Sequence, residues 1–504
     1  MNDYLDLAGQ LMMVRLSGTE LDAETDTFLR THRIRGACLF RQNMVDAAQL
    51  TRFTGALRAA LGPQALVALD QEGGAVVRAT WVPAPPSAMA LGAADDPALA
   101  REVGAAVARA VRALGFNGNV APVLDLNNHP HNPVLAERSF GADPERATRI
   151  ALAWMAGSES EGVACCVKHF PGHGDTHVDS HRDLPTVDKP RDELERFEFA
   201  PFRLAAQGAN AAPAMMTAHI VYPALDPRNP ATMSHAILTG VLRDDFGYQG
   251  VIITDGMDMH AIAHRYGAGQ AAVNALVAGA DMVMAIGTRE TQVETVHAIA
   301  QAIRDGVLPL SEVEARLDRL GRLADLHPAG PGAYLREADD RALMARAWRA
   351  GLSALGDPQR PPPGSRVRLV ARADVVSDGV SEAGVPAASV AAALGRLYDV
   401  ELVTFADAER FDWDALPQDG RVTILASTAR RRYGPQARAT WRPDLHLALW
   451  NPYQALDFPS PALLTYGFAP PAVDAAVAWL AGEIEATGCC PVPGFASPRA
   501  GNAM

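Results

Sequence analysis

The densest group of chemically active side chains in this 504-residue chain lies in one short segment, Lys168 to Pro185. The segment reads KHFPGHGDTHVDSHRDLP and follows an apolar run, GVACCV, that is typical of a buried β-strand. Pro171, Gly172 and Gly174 exclude a regular helix here. A strand followed by a glycine-rich polar loop is how α/β proteins present catalytic groups at the carboxyl edge of their sheet.

Histidines recur at every fourth position of this segment, at His169, His173, His177 and His181. On a helix this spacing would line one face and could bind a metal ion. Because the proline and the glycines interrupt any helix, we interpret the spacing as accidental. The sequence therefore predicts no metal site.

Two groups are candidates for catalysis. Asp255, in GVIITDGMDM, follows an apolar strand, so its carboxylate should project from the sheet edge as a nucleophile or electrostatic stabiliser. Asp179 and His181, in VDSHRDLP, are two residues apart in a turn-prone loop. A hydrogen bond from the ring to that carboxylate would raise the pKa of the histidine and make it a usable proton donor. Asp179 could instead only brace an Asx-type turn.

Further charged side chains have the composition of a sugar pocket. Asp70 and Arg78 belong to DQEGGAVVR, and Arg138 belongs to RSFG. Together with Lys168 and His169 they offer many hydrogen bonds to hydroxyl groups. We therefore expect them to converge on a carbohydrate.

Short apolar runs alternate with amphipathic helical patterns about eight times over roughly 300 residues, which predicts a (β/α)8 TIM-type barrel. A doubly wound open sheet is the alternative. The expected strands are Leu11–Leu16, Gly36–Phe40, Ala65–Leu69, Val120–Leu124, Val163–Val167, Ala214–Ala218, Val251–Thr254 and Met282–Ile286. Polar residues at successive strand ends favour the barrel, since helix capping would explain only one or two of them. They are Asp70, Asp125, Lys168 with His169, His219 and Asp255.

The composition changes after Leu326, and a second α/β region follows a proline-rich stretch, GDPQRPPPGS. We predict a catalytic barrel over residues 1–334, a helix and linker over 335–365, and a smaller αβα sandwich over 366–504. One helix is expected over Arg336–Leu355 and another over Val473–Ile484. The strands expected in the sandwich are Val367–Val370, Glu401–Thr404, Val422–Ala426, Leu445–Trp450 and Leu463–Tyr466.

The overall composition is that of a globular protein, with 48% hydrophobic and 20% charged residues. A net charge of −13 argues against nucleic acid or an anionic membrane as the main partner. The segment MNDYLDLAGQLMMVRLSG has no basic start, so we expect no secretory signal. No apolar run is long enough for a membrane span, and the five cysteines have no CxxC spacing. We expect a cytoplasmic protein with reduced thiols, and a monomer.

Five strings in the chain together resemble the β-N-acetylglucosaminidase branch of glycoside hydrolase family 3. They are DQEGG, APVLDLNN, NPVLAERSFG, KHFPGHGDTHVDSHRDLP and IITDGMDM, within roughly residues 8–330. The resemblance implies a (β/α)8 barrel, often followed by an αβα sandwich, and a retaining mechanism through a covalent glycosyl-enzyme intermediate. No metal or organic cofactor is implied.

The resemblance also implies roles for individual residues. Asp255 is expected to be the nucleophile, and His181 the acid/base, in a dyad with Asp179. The expected sugar-binding residues are Asp70, Arg78, Arg138, Lys168 and His169. Two positions depart from the family pattern: Ala75 stands where an arginine is common, and Gly256 where a larger or acidic residue follows the nucleophile.

The sequence therefore favours an exo-acting enzyme that releases terminal N-acetylglucosamine from cell-wall-derived muropeptides or chitooligosaccharides. Three alternatives stay open: a phosphorylase that uses the same dyad with phosphate as acceptor, a β-glucosidase of the same family, and a non-catalytic sugar-binding protein. A histidine repels phosphate less than a carboxylate would, which makes phosphorolysis physically reasonable.

Overall fold

A closed barrel of eight parallel strands forms the first part of the computed structural model, which describes residues 2–177, 184–208, 210–330, 332–377 and 380–495. Each strand pairs with its neighbours in chain order, and the last pairs with the first. The strands are β1 (Met12–Arg15), β2 (Gly36–Leu39), β3 (Leu66–Leu69), β4 (Gly118–Asn119), β5 (Ala164–Phe170), β6 (Ala214–Thr217), β7 (Val251–Gly256) and β8 (Met282–Ala285). The predicted barrel is confirmed, and the open sheet is not.

Helices cover the outside of the barrel. In this part of the chain they are α1 (Asn2–Gly9), α2 (Ala23–Thr31), α3 (Ala47–Leu61), α4 (Ala88–Ala94), α5 (Pro97–Ala113), α6 (Pro144–Ser160), α7 (Arg191–Arg196), α8 (Phe199–Ala206), a π-helical segment (Ala236–Asp245), α9 (His260–Tyr266), α10 (Ala268–Ala278), α11 (Arg289–Arg304) and α12 (Leu310–Leu326).

The closely packed helices α5 and α6 show how the sequence specifies these elements. Asp96 caps α5 by accepting hydrogen bonds from backbone N–H groups of its first turn, and Pro97 occupies the first helical position. Gly104 permits the close contact, because a Cβ there would lie 2.0 Å from the carbonyl oxygen of Trp154 on α6.

The fourth strand differs from its prediction, since it spans Gly118–Asn119 rather than Val120–Leu124. Pro122 has no N–H to donate to a ladder, and only an isolated bridge from Val123 to Lys168 continues the pairing. The Asn119 side chain instead ties β4 to the chain after β3. Its Oδ1 accepts from the N–H of Gln71 at 2.9 Å, and its Nδ2 donates to the Gln71 carbonyl at 3.1 Å.

A second, six-stranded sheet forms the C-terminal region, as predicted. The strands are β9 (Ser353–Leu355), β10 (Arg366–Arg372), β11 (Asp399–Phe405), β12 (Val422–Ser427), β13 (Leu445–Ala448) and β14 (Ala462–Leu464). Their spatial order is β9-β14-β13-β12-β10-β11, parallel except for the antiparallel pair of β9 and β14. The helices are α13 (Glu337–Gly351), α14 (Ala387–Leu394), α15 (Pro435–Thr440) and α16 (Pro470–Leu480).

Side chains of the sheet point alternately to its two faces, and helices pack on both faces. Val367 and Leu369 of β10 pack in one apolar cluster with α14 and α16, whereas Val370 packs on the opposite face with Trp441 and Phe405. The predicted αβα sandwich is therefore confirmed. The single helix expected over Arg336–Leu355 is wrong at its end, because the chain leaves the helix after Gly351 and forms edge strand β9.

The two parts of the chain share an apolar interface. Trp348 of α13 is buried in a cluster with Met89 and Ala90 of α4 and with Tyr453 of the second region. Gly351 is required there, because a Cβ would lie 2.4 Å from the Ala90 carbonyl oxygen. The predicted boundaries at residues 334 and 365 stay predictions. No helix among the described residues is long and apolar enough to cross a membrane.

Candidate active site

A cavity of about 750 Å³ opens at the carboxyl ends of the barrel strands. Its charged lining comes from many strand ends and loops, as expected for a barrel of this kind. The charged residues are Arg15, Arg41, Asp70, Glu72, Arg78, Arg138, Lys168, Asp255, Asp258 and Glu382. The lining also includes His169 and His173. The volume is within the range of small-molecule sites.

A buried network of ion pairs forms one wall of the cavity. The Lys168 ammonium donates to Oδ1 of Asp70 at 2.8 Å and lies 2.6 Å from Oε1 of Glu72. Arg138 binds Glu72 in a bidentate pair with distances of 2.8 and 2.9 Å. Arg78 donates to Oδ2 of Asp70 at 3.2 Å. The opposite charges therefore alternate along the wall and hold one another in place.

Electrostatics keeps the groups of this network ionised. Burial alone would raise the pKa of Asp70 and of Glu72, but the nearby cations outweigh burial and hold both values below their usual range. Burial would also lower the pKa of Lys168, and the two carboxylates more than reverse this effect. The wall thus presents fixed charges that suit the hydroxyl groups of a polar ligand.

Asp125 organises the start of the histidine-rich segment. Its Oδ1 accepts from the backbone N–H groups of His169 and His173 at 3.1 and 2.7 Å, and its Oδ2 lies 2.6 Å from Nδ1 of His169. Burial lowers the pKa of His173 to about 4, so this ring is neutral at pH 7. Asp125 therefore fixes the orientation of the His169 ring at the cavity wall.

The end of β7 carries Asp255 into the cavity. One of its oxygens accepts from the N–H of Gly256 at 2.7 Å. His219, expected at a strand end, does not line the cavity but contacts the Gly256 carbonyl at 2.9 Å through Nε2 and so braces this strand end. Asp258 lines the cavity near Asp255, and its pKa is raised, mainly by burial.

Little space is free beside Gly256, and side-chain atoms fill it. A Cβ on Gly256 would lie 2.6 Å from Cδ1 of Ile286 and 3.2 Å from Oδ1 of Asp258. At this position, which departs from the family pattern, Ile286 and Asp258 therefore already occupy the space that a larger side chain would take.

The structure thus brings together most of the predicted site residues in one cavity, and their roles stay predictions. They are Asp70, Arg78, Arg138, Lys168, His169 and Asp255. Asp179 and His181 lie outside the described residues. Sequence reasoning missed Glu72, although its position in DQEGG, two residues after Asp70, was an available signal. It also missed Glu382, for which no local signal exists.

One cluster beside the cavity offers metal-ligand atoms. Atoms of His129, Asp175 and His177 lie within 4.8 Å of one another. However, the Lys189 ammonium lies 3.1 Å from Asp175, and Nδ1 of His129 accepts from the N–H of His131 at 3.3 Å. The Lys189 ammonium, which also lies 2.7 Å from Glu198, thus already contacts this carboxylate, and we assign no ion to the cluster.

Comparisons with known proteins show which family the chain resembles. Residues 6–323 match the model of the glycosyl hydrolase family 3 N terminal domain. Beta-hexosaminidase A of Pseudoalteromonas piscicida is 34% identical over 395 residues, which are 73% of this chain and 63% of that protein. A beta-hexosaminidase of Alkalilimnicola ehrlichii is 40% identical over 286 residues, 55% of this chain and 80% of that protein.

Solved structures extend the similarity to the second region. A glycoside hydrolase family 3 beta-N-acetylglucosaminidase from Paenibacillus sp. str. FPU-7 superposes with a TM-score of 0.86 at 30% identity and covers 97% of this chain and 98% of its own. Beta-glucoside phosphorylase BglX, with a TM-score of 0.82 and 22% identity over 98% of this chain and 94% of its own, shares the fold. The family expected from the sequence motifs is confirmed: the chain belongs to glycosyl hydrolase family 3.

Proposed function

We propose that the chain is a retaining exo-β-N-acetylglucosaminidase that forms a covalent intermediate on Asp255. One observation carries the proposal: the Asp255 carboxylate shares a single cavity with the buried network of Asp70, Glu72, Arg78, Arg138 and Lys168. In such a cavity the charged wall can bind the hydroxyl groups of a sugar, while the Asp255 carboxylate attacks its anomeric carbon. The beta-hexosaminidase relatives support a hexosaminide as substrate, and the beta-N-acetylglucosaminidase from Paenibacillus sp. str. FPU-7 supports N-acetylglucosamine as the sugar.

The proposed reaction has two steps. In the first, an Asp255 oxygen bonds to the anomeric carbon while the glycosidic C–O bond breaks, and the His181 imidazolium gives its proton to the leaving oxygen. In the second, His181 takes a proton from water, the water oxygen bonds to the anomeric carbon, and the Asp255 carboxylate is released. Asp179 would orient His181 and stabilise its charged form.

The wall residues would act as binding groups. Carboxylate oxygens of Asp70 accept hydrogen bonds from sugar hydroxyls, and the Arg78, Arg138 and Lys168 cations donate to sugar oxygens. Since their positions are set before the ligand enters, little reorganisation is needed on binding. Muropeptides or chitooligosaccharides as substrates, a cytoplasmic location and a monomeric state are parts of the proposal that come from the sequence.

The test is a product analysis on aryl β-N-acetylglucosaminide and aryl β-glucoside, each with and without phosphate. We expect N-acetylglucosamine, released with retained β configuration at a rate that phosphate does not change. Asp255→Ala should remove nearly all turnover, whereas Asp244→Ala, a control at an exposed carboxylate, should not. A sugar 1-phosphate as main product would establish the phosphorylase instead. Preference for the glucoside would establish a glucosidase, and sugar binding without turnover a non-catalytic protein.

A further inference from the structure

A segment of the C-terminal sandwich reaches into the wall of the barrel cavity. Val380 and Glu382 both line the cavity, more than three hundred residues after the DQEGG string in the chain. The backbone N–H of Glu382 donates to the Ala75 carbonyl at 2.8 Å. This contact fixes the segment against the loop that carries Arg78.

Arg78 is held jointly by the barrel and by this segment. Its Nη1 donates to the Val380 carbonyl at 2.9 Å and to Oε1 of Glu382 at 3.0 Å, whereas its Nη2 donates to Asp70. The Arg78 side chain is 8% exposed and that of Glu382 is 21% exposed. The guanidinium therefore lies between one carboxylate of the barrel and one of the sandwich.

Glu382 also adds a carboxylate to the ion pairs of the buried network. In these pairs the barrel contributes the cations Arg78, Arg138 and Lys168 and the carboxylates Asp70 and Glu72. Glu382, from the second region, is the second carboxylate that contacts Arg78 directly. Since loss of a partner is costly for a buried charge, Glu382 should help to hold this guanidinium in place.

The sandwich holds the other arginine-bearing loop in a similar way. Trp450 donates through Nε1 to Oε2 of Glu137, the neighbour of Arg138, at 2.5 Å. Arg430 donates to the Val134 carbonyl at 2.7 Å. The two arginines of the ion-pair network, Arg78 and Arg138, therefore both belong to loops that contact the second region.

We propose that Glu382 is a positioning residue for substrate binding: by holding Arg78 against Asp70 it completes the sugar-binding wall, which the barrel alone does not complete. The inference rests on the proposed function in one respect, namely that Arg78 contacts the sugar. It gives the second region, to which no catalytic motif could be assigned, a direct part in substrate recognition.

The test compares steady-state kinetics of Glu382→Ala and Glu382→Gln with a matched control pair. Arg368 and Glu401 form an ion pair at 2.9 Å in the same sandwich, with side chains 2% and 38% exposed, and neither lines the cavity. Glu401→Ala and Glu401→Gln therefore report what the loss of such a pair does to the sandwich itself.

We expect Glu382→Ala to raise KM about tenfold with kcat changed less than about twofold, because loss of a uniform binding interaction acts on KM. Glu382→Gln retains an oxygen that can accept from Arg78, so its KM should rise only about threefold. The Glu401 variants should leave both constants within about twofold of the wild type.

An unchanged KM in folded Glu382→Ala would overturn the inference, and so would an equal rise in the Glu401 variants. If Glu382→Ala does not fold, the KM of Glu382→Gln decides alone.

The wild type is first assayed on both aryl glycosides, and the variants are then assayed on the better substrate. Rejection of the N-acetylglucosaminide thus overturns the proposed function, while the Glu382 comparison is still decided on the glucoside. Where neither is cleaved, the dissociation constant of each free sugar replaces KM.

Discussion

Replacement of Lys168 by methionine tests the buried network most severely. Methionine has a similar length and no charge, so Lys168→Met leaves Oδ1 of Asp70 and Oε1 of Glu72 without their ammonium partner. Removing one partner of a buried ion pair costs about 3–5 kcal/mol. Arg78 and Arg138 remain, so the lower half of this range is expected. With an unfolding entropy of about 2.1 cal/mol/K per residue, a barrel of roughly 320 residues has about 0.7 kcal/mol/K, so the melting temperature at pH 7 should fall by about 4–6 °C.

The loss should depend on pH with a definite sign. Asp70 and Glu72 have folded-state pKa values below their unfolded values of 3.8 and 4.5. Their contribution to stability is therefore complete above the unfolded values and is lost as the pH falls through the folded ones. In Lys168→Met the folded-state pKa values of both carboxylates rise toward their unfolded values. The variant therefore loses less stability than the wild type when the pH falls. The difference in stability between wild type and variant should therefore narrow below about pH 4, by at most about 1.4 kcal/mol per pH unit for each carboxylate that is protonated in the variant and ionised in the wild type.

The assay is thermal unfolding of both proteins between pH 7 and the lowest pH at which the wild type stays folded. Arg396→Met is the control, since the Arg396–Asp474 pair is 2.7 Å long but its side chains are 52% and 55% exposed. This variant should lose less than about 1 kcal/mol. A Lys168→Met loss that is absent at pH 7, or that stays constant down to low pH, would refute the account of the network.

Three further variants test other parts of the structure. His181→Ala should slow cleavage of substrates with poor leaving groups about 10²–10⁴-fold and spare those with very good ones, in parallel kcat/KM measurements; equal losses would count against His181 as the acid. Gly256→Ala should turn the half-buried Ile286 side chain, destabilise the barrel by no more than about 0.5–1.5 kcal/mol and change KM, as thermal unfolding and kinetics will show; a KM identical to that of the wild type would contradict the crowded floor. Trp450→Phe leaves Oε2 of buried Glu137 without its indole donor and should cost about 1–3 kcal/mol in unfolding experiments. The control Trp413→Phe removes an indole away from that interface and should cost less.

The barrel could be predicted from apolar runs because buried parallel strands are nearly continuous in hydrophobic residues. The same rule failed at the fourth strand. Gly118 and Asn119 are poor strand formers, and the apolar residues after them include Pro122, which cannot join a ladder. Pairing with β3 and β5 on both sides overrides this weak local preference.

The site was predictable where its residues follow strand ends in short strings. Asp70, Lys168 and Asp255 follow or end barrel strands, so parallel pairing alone brings them to one face. Glu382 was not predictable, because its role depends on how the sandwich packs against the barrel. No periodicity or motif near Glu382 reports a contact with Arg78, which comes from tertiary packing between distant segments.

The most direct test of the central claim is mass spectrometry of the protein after reaction with a 2-fluoro or 5-fluoro glycosyl donor, which slows release of the intermediate. The account predicts one added glycosyl group, located on Asp255 by peptide fragmentation and absent from Asp255→Ala. A label on any other residue, or turnover of ordinary substrate by a protein that never acquires a label, would contradict it.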